Sequence, residues 1–254
     1  FEVSRALASC VGALLVVDAT QGIQAQTMAN ANLASMVGLK IIPIINKVDL
    51  PSADIDGVAE QLFDTLHITE DPILVSAKQG IGIDETLKAI IERLPPPVGD
   101  SGKPLAALIF DSTFSIFRGV VLLIRVVDGV IKKGMRLRFF STGLDVPVEE
   151  VGYLTPKQTP AGQLTAGEVG YVVCGIKDIH QVRVGDTLME ATRPLTAALP
   201  GYKEAKPVFF AGVFPINAVD YPQLKAALEK LNLEDSSFNY FPENSEALGF
   251  GYRL

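Results

Sequence analysis

Residues Ile41 to Asp49 read Ile-Ile-Pro-Ile-Ile-Asn-Lys-Val-Asp, and this stretch decides the fold. An apolar, mostly β-branched run ends abruptly in polar residues, which is typical of a strand buried on both faces of a parallel sheet. In doubly wound α/β folds, ligands bind at the carboxyl ends of the strands. We therefore expect Asn46, Lys47 and Asp49 to lie at a ligand site.

The side chains of this motif suit a guanine base. Guanine presents two adjacent donors, its ring N–H and its exocyclic amine, and the two oxygens of an ionised Asp49 can accept both. Adenine would leave this carboxylate unpaired, and sites of this kind discriminate by about 10⁴-fold in the best cases. The methylene stem of Lys47 can lie along the base, and Asn46 can bridge the base and the backbone. Taken alone, the motif is equally consistent with a solvated turn at a strand end.

Two further apolar runs also end in polar residues. Leu14 to Val17 precedes Asp18-Ala19, and Ile73 to Val75 precedes Ser76-Ala77-Lys78. Strands that end in Asp, in Asn-Lys-x-Asp and in Ser-Ala-Lys, in that order, are much more specific than one motif. Helical segments alternate with these strands, which predicts a parallel sheet with helices on its faces.

At this point the chain resembles a known family. Its Asn-Lys-Val-Asp and Ser-Ala-Lys segments resemble the two base-binding motifs of translational GTPases. Four more segments resemble the LepA family (elongation factor 4) in particular: Asp18 to Thr27, Leu50 to Asp54, Ile91 to Pro97 and Glu246 to Gly251. The resemblance covers essentially the whole chain. It implies a GTP site formed by Asn46, Lys47, Asp49, Ser76, Ala77 and Lys78.

The resemblance implies a GTPase that binds and hydrolyses GTP on the ribosome and acts on translation elongation. In the family, Mg²⁺ bridges the phosphates, which contact a Gly-x-x-x-x-Gly-Lys-Ser/Thr loop and an Asp-Thr-Pro-Gly-His motif. Neither motif occurs in these 254 residues. We therefore expect this chain to supply the guanine-binding half of the site, with the Mg²⁺ ligands and the catalytic residues outside it, and to be inactive alone.

Two other functions stay open. If the protein begins near Phe1, it is a ribosome-binding module without enzymatic activity. The chain is otherwise consistent with a fragment of an elongation factor G relative. A Gly-Lys-Ser/Thr loop upstream of Phe1 would separate the first alternative from a GTPase, and the sequence beyond Leu254 would test the second.

The composition is that of a globular protein. The chain has 254 residues, enough for two or three domains, and 48% of them are hydrophobic. The net charge is −7, so any RNA contact must come from a local basic patch. The chain starts at Phe1 and has neither a signal-peptide pattern nor an apolar run long enough to span a bilayer, so we expect a soluble internal fragment.

The compartment follows only from the resemblance. Family members work in the bacterial cytoplasm, in mitochondria and in chloroplasts, and they associate peripherally with the inner membrane. We favour the matrix side of the mitochondrial inner membrane, with the bacterial cytoplasm or inner membrane and the chloroplast as alternatives. We expect no obligate oligomer.

Three domains are predicted from changes of pattern along the chain. Residues 1–96 are expected to form the C-terminal part of an N-terminally truncated, P-loop-type GTPase domain, and Pro95-Pro96-Pro97 opens a stiff linker after it. Short strands with Gly turns over 103–192 predict a β-barrel, and the resemblance implies the barrel shared by translation factors. After Leu199-Pro200-Gly201, residues 204–254 have a β-α-β-β order, which is most of a ferredoxin-like unit.

Several local features are predicted from single motifs. Pro43 predicts an irregularity in its strand, because a central strand loses a ladder hydrogen bond at proline. Asp128-Gly129 predicts a hairpin between apolar strands. One uninterrupted strand is expected at each of three further ranges, Val146–Val151, Lys206–Phe214 and Ser237–Phe241.

The histidines and cysteines are not assigned a functional role. The hydrolytic histidine of the family belongs to a motif that is missing here, so neither His67 nor His180 inherits its role. His67 is expected to end a helix and His180 to lie in a loop. Cys10 and Cys174 are expected in different domains, as small buried residues.

A basic cluster on the predicted barrel has two interpretations. Its members are Arg118, Arg125, Lys132, Lys133, Arg136 and Arg138. A solvated face is the simpler interpretation, and contact with the phosphates of ribosomal RNA is the alternative. Arg118 can also pair with Asp111 across a strand end, and Asp18 can act by stabilising its own turn.

Overall fold

The computed structural model describes residues 2–115, 117–178, 181–200, 209–234 and 238–254. The chain divides into two units, residues 2–97 and residues 98–254. The division falls just after the three consecutive prolines that end the last helix of the first unit. Within the described ranges, no helix is long and apolar enough to cross a membrane.

The first unit is a three-stranded parallel sheet with helices between its strands. The strand order is β1-β2-β3, and both pairs are parallel. The strands are β1 (Gly12–Asp18), β2 (Lys40–Asn46) and β3 (Ile73–Val75). The helices are α1 (Glu2–Ala8), α2 (Ala25–Met36), α3 (Ile55–Leu66) and α4 (Ile83–Arg93). The predicted alternation of strands and helices is therefore present.

The central strand β2 is the apolar run on which the prediction rests. Ile42 and Ile45 are fully buried, as a strand covered on both faces requires. The irregularity predicted at Pro43 is wrong, because β1 and β2 keep an unbroken register and Leu15 pairs with Pro43. Pairing of β2 with β3 begins only at Ile44, so the proline precedes that ladder.

The helix α3 begins and ends with recognisable caps. The Asp54 carboxylate accepts a hydrogen bond from the Gly57 N–H at 3.0 Å, so Asp54 caps the start of the helix. His67 follows the last residue of α3 in a left-handed conformation with φ of 56°. The predicted role of His67 as a helix end is confirmed.

The second unit contains a β-barrel. Eight antiparallel strands form one sheet in the order β10-β9-β12-β5-β4-β13-β7-β8, and β6 pairs with β11. All of these strands except β10 place buried side chains in one hydrophobic core. The strands are β4 (Ala106–Ser115), β5 (Gly119–Asp128), β6 (Val130–Lys132), β7 (Arg136–Phe139), β8 (Asp145–Pro147), β9 (Glu150–Thr155), β10 (Lys157–Pro160), β11 (Gln163–Thr165), β12 (Val169–Val173) and β13 (Thr187–Glu190).

The hairpin predicted at Asp128-Gly129 is wrong. Strand β5 pairs with β4 and β12, whereas β6 pairs with β11. The turn is bound by an upstream residue, because the Asp100 N–H donates to Asp128 Oδ1 at 2.9 Å and the Asp100 carbonyl accepts from the Gly129 N–H at 2.9 Å. A Cβ at position 129 would lie 2.6 Å from Leu105 Cα. The turn therefore packs against the segment before β4 and sends the chain to another strand pair.

The single strand predicted at Val146–Val151 is two strands, β8 and β9. The break comes where the chain changes partners: the Val148 N–H donates to the Met135 carbonyl, and the Glu149 N–H donates to the Val173 carbonyl, each at 2.8 Å. Strand β8 then pairs with β7, and β9 pairs with β10 and β12. The short strands β10 and β11 are absent from the prediction, because their polar residues show no apolar alternation.

The end of the chain forms a small antiparallel sheet beside one helix. Its elements are β14 (Gly212–Val213), a 3₁₀ turn (Ala218–Asp220), α5 (Tyr221–Glu234), β15 (Phe241–Ser245) and β16 (Gly249–Arg253), and the strand order is β14-β16-β15. Of the predicted strand Lys206–Phe214, residues 206–208 lie outside the described residues and only Gly212–Val213 is a strand. The strand predicted at Ser237–Phe241 is displaced, since β15 begins at Phe241 and Ser237 lies outside the described residues.

Candidate functional site

One cavity lies at the carboxyl end of β2 and β3. Its volume is about 290 Å³. It is lined by Asn46, Lys47, Asp49, Leu50, Ser76, Ala77 and Lys78. The structure thus brings together all six residues that the two motifs predict. Leu50 is the additional lining residue, and only its position next to Asp49 could have indicated it.

Asn46 joins the two motifs. It is the last residue of β2, and its Oδ1 accepts a hydrogen bond from the backbone N–H of Ala77 at 3.1 Å. The amide nitrogen of the Asn46 side chain carries two N–H donors that can bind a ligand. Asn46 therefore fixes the distance between the two walls of the cavity and can also contact a ligand.

Ser76 organises the loop that forms the second wall. It is fully buried, and its backbone pairs with Ile81 through N–H···O bonds of 3.0 and 3.1 Å. Its hydroxyl oxygen accepts from the Gln79 N–H at 3.3 Å. These bonds close a tight loop between β3 and α4, which places Ala77 and Lys78 at the cavity.

The Asp49 carboxylate is held in its ionised form. A hydrogen bond from Ser76 is the main cause that lowers the pKa of Asp49, and the Gln79 amide and the Lys78 charge lower it further. The Gln79 side-chain amide donates to Asp49 Oδ2 at 3.5 Å. An ionised carboxylate at the cavity wall is the acceptor that the two guanine donors require. Gln79 was not predicted, because nothing in the sequence pairs it with Asp49.

Lys47 reaches back from β2 to the end of β1. Its Nζ lies 2.6 Å from Asp18 Oδ2, and its backbone has a φ of 67°. The hydrogen bond from Lys47 and those from Thr20 lower the pKa of Asp18 to about 2. Asp18 stabilises its turn as predicted, since its Oδ1 accepts from the Thr20 N–H and hydroxyl, each at 2.8 Å.

Other candidate residues lie away from this cavity. The expectation that Cys10 is buried is wrong: Cys10 is exposed just after α1, where its Sγ donates to the Ala6 carbonyl at 3.3 Å. Cys174 is buried in the barrel core, and burial raises the pKa of its thiol to about 12. His180 lies outside the described residues. Within the described ranges, no three His, Cys, Asp or Glu side chains are placed to hold a metal ion.

The basic cluster is partly neutralised by acidic neighbours. The pairing of Arg118 with Asp111 is wrong, because the Arg118 guanidinium donates instead to Glu150 and Gln158. Arg118 also lies 5.5 Å from the centroid of the Tyr171 ring. Asp111 Oδ1 accepts from the backbone of Ser112, its neighbour in β4.

Another arginine of the cluster, Arg138, also has a defined acidic partner. Arg138 makes a two-bond pair with Asp145, at 2.6 and 2.8 Å. That pairing, followed by the Coulombic effect of Arg138 and of Arg136, lowers the pKa of Asp145. Arg118 therefore links the start of β5 to β9 and β10, and Arg138 links β7 to β8. Lys132 and Lys133 of the same cluster are exposed.

The comparison with known proteins first identifies the class of protein. Residues 1–96 match the family model described as the elongation factor Tu GTP binding domain, and residues 119–189 match elongation factor Tu domain 2. These matches, with the parallel sheet and its cavity, place the chain among the translation factors that carry a GTP-binding domain followed by a domain 2 barrel. Elongation factor 4 proteins of Chlorobium phaeobacteroides (strain DSM 266) and Chlorobaculum parvum are each 52% identical to it over all 254 residues, and that of Chlorobium chlorochromatii is 51% identical. The chain belongs to the elongation factor 4 (LepA) family.

The chain spans 42% of the length of these relatives. The family membership favours the elongation factor 4 interpretation over an elongation factor G relative. The expected mitochondrial location is wrong, because these relatives are bacterial proteins.

Proposed function

We propose that the whole protein to which this chain belongs is a GTPase that binds and hydrolyses GTP on the ribosome during translation elongation. The cavity at the ends of β2 and β3, lined by both base-binding motifs, carries the proposal. The names of the relatives and the match to a GTP-binding domain support it. The same observations favour a GTPase over a ribosome-binding module without activity.

In this proposal the chain recognises the guanine base of GTP or GDP. The ionised Asp49 accepts hydrogen bonds from the ring N–H and the exocyclic amine of guanine. The stem of Lys47 covers one face of the base, and Asn46 holds the Ser76-Ala77-Lys78 loop at the opposite wall. Adenine offers a single amine next to a ring acceptor, so it leaves Asp49 partly unpaired.

The phosphates and Mg²⁺ are assigned to other parts of the whole protein. The cavity offers a carboxylate, an amide and lysine side chains, which fit a base. Within the described ranges no three carboxylate, histidine or cysteine side chains form a metal site. The family resemblance implies that a Gly-rich loop and its lysine supply the phosphate contacts.

We further propose the finer assignments of the fold. Residues 1–96 belong to a P-loop-type GTPase domain, 103–192 to the translation-factor barrel and 204–254 to a partial ferredoxin-like domain. The last assignment is supported by the order β14-β16-β15 and by the position of α5 between β14 and β15 in the chain, which is the β-α-β-β part of that fold.

The ribosome is the proposed partner, with ribosomal RNA contacted through Lys132 and Lys133 on the barrel. The names of the relatives and the described residues give no support to the expected inner-membrane association, which is not part of the proposed function. A bacterial ribosome is the partner to use in tests, since the relatives are bacterial.

Hydrolysis by the full-length protein tests the proposal. Release of phosphate from GTP should accelerate when bacterial ribosomes are added, and release from ATP should not. Ribosome binding without any GTP hydrolysis would instead support the non-enzymatic module. Hydrolysis of ATP at the same rate as GTP would contradict the assignment of the base site.

A further inference from the structure

Asp18 ends β1 beside the base cavity, and the two oxygens of its carboxylate have separate partners. Oδ1 accepts from the backbone N–H and the hydroxyl of Thr20, each at 2.8 Å. Oδ2 lies 2.6 Å from the Nζ of Lys47, a residue that lines the cavity. One oxygen therefore holds the turn after β1, and the other holds a side chain of the cavity.

Lys47 has an unusual backbone conformation, with its side chain reaching Asp18 at the end of β1. A side chain at positive φ is crowded against the following carbonyl, and within the described ranges only Lys47 and His67 adopt this conformation without being glycine. The Val48 N–H donates to the Val75 carbonyl at 3.3 Å and the Leu50 N–H to the Lys47 carbonyl at 3.2 Å, which fix the backbone on either side. The chain leaves β2 sharply at this point, and the Lys47 side chain is directed toward β1.

The anchor for this lysine is itself fixed. The Ala19 N–H donates to the Asn46 carbonyl at 2.9 Å, and the Asp54 N–H donates to the Ala19 carbonyl at 2.8 Å. The ends of β1 and β2 and the start of α3 are thereby joined next to the carboxylate. The Asp18 side chain is 20% exposed, so it has little room to follow a moving lysine.

We propose that Asp18 is a positioning residue for nucleotide binding, which holds the Lys47 ammonium at the end of β1 and so keeps its methylene stem along one wall of the base cavity. This inference rests on the proposed function of the cavity. The Lys47 side chain is 51% exposed, and without the ion pair it would have to be ordered when the nucleotide binds. An aspartate whose pKa is about 2 remains charged at neutral pH, so the ion pair persists under working conditions.

The simpler alternative is that Asp18 only stabilises its own turn. Asp18→Asn separates the two roles, because an amide oxygen can still accept from Thr20 while the charge that holds Lys47 is lost. Lys47→Met retains an unbranched stem and removes the ammonium. Glu70→Gln is the matched control, since Glu70 pairs with Lys40 at 3.2 Å at the opposite end of β2, away from the cavity.

The test measures dissociation of fluorescent GDP from the full-length protein by stopped flow. Asp18→Asn should raise the rate about two- to fivefold, the range expected for a partly exposed ion pair. The effect should vanish in the Lys47→Met background, because the two residues act as a unit. Glu70→Gln should leave the rate unchanged, and Asp18→Asn should lower the melting temperature of the nucleotide-free protein no more than this control does.

The outcomes separate this inference from the proposed function. If Asp18→Asn releases GDP at the wild-type rate, or if its effect is undiminished in the Lys47→Met background, Asp18 is not a positioning residue. Wild-type protein that binds no GDP, or binds ADP equally well, would overturn the proposed function instead.

Discussion

Two glycines in the loop between β3 and α4 share one backbone conformation but differ in their surroundings. Gly80 has a φ of 75° and Gly82 a φ of 73°. A Cβ added at Gly80 meets nothing within 4 Å, whereas a Cβ added at Gly82 lies 2.1 Å from the Leu74 carbonyl oxygen. That oxygen belongs to the backbone of β3, so it moves only if the strand moves. Alanine at the two positions should therefore have unequal effects.

Two contributions determine how much each alanine lowers the free energy of unfolding. Alanine at a left-handed position costs about 1–2 kcal/mol, and both Gly80→Ala and Gly82→Ala incur this cost. The contact with Leu74 adds about 1–3 kcal/mol of strain for Gly82→Ala. The Gly82 carbonyl also accepts from the Thr86 N–H at 3.0 Å and from its hydroxyl at 2.8 Å, so a shift here disturbs the start of α4. We expect a loss of about 1.5 kcal/mol for Gly80→Ala and about twice that for Gly82→Ala.

Thermal unfolding and GDP titration of the full-length protein measure both effects. Gly82→Ala should lower the melting temperature more than Gly80→Ala, and it should weaken GDP binding because the loop carries Ser76 and Lys78. Gly80→Ala should keep GDP affinity within about twofold of wild type. Equal losses of melting temperature in the two variants would refute the packing argument, and unchanged GDP affinity in Gly82→Ala would show that the loop does not shape the cavity.

Three further predictions follow from single features. N-ethylmaleimide at about pH 8 should label the exposed Cys10 and spare Cys174, because the buried Cys174 thiol, with a pKa of about 12, is almost entirely protonated at that pH. Equal labelling of the two cysteines, measured by mass spectrometry, would contradict the buried position of Cys174. The 254-residue chain expressed alone should show no micromolar GTP binding by calorimetry, and micromolar binding would place a phosphate site within these residues. The double variant Lys132→Glu, Lys133→Glu should weaken ribosome binding and flatten its salt dependence, whereas the same charge change at Lys157 and Lys177 should not. Wild-type binding and salt dependence in the double variant would show that Lys132 and Lys133 belong to a solvated face.

The parts of the structure that the sequence predicts are those set by local patterns. The apolar run of β2 and the polar residues after it define both a buried strand and the position of Asn46, Lys47 and Asp49, because strand direction alone brings them to the sheet edge. The cap at His67 and the helix α3 follow in the same way from a short stretch of sequence.

The features that the sequence missed depend on partners distant along the chain. The Asp128-Gly129 turn looks like a hairpin until Asp100, 28 residues upstream, binds it and redirects the chain. Gln79 and Asp49 are 30 residues apart, and their hydrogen bond has no local pattern. Propensity describes a turn or a side chain in isolation, whereas these contacts are decided by which segments pack together.

Base selectivity of the full-length protein tests the central claim most directly. Asp49→Asn exchanges one carboxylate oxygen for an amide donor, which opposes the exocyclic amine of guanine and suits the corresponding oxygen of xanthine. Competition with fluorescent GDP should show a change of at least about 10²-fold in the ratio of GDP to XDP affinity. Asp56→Asn, in the first turn of α3, is the control and should not alter the ratio. If Asp49→Asn binds GDP as tightly as wild type and gains nothing for XDP, Asp49 does not recognise the base.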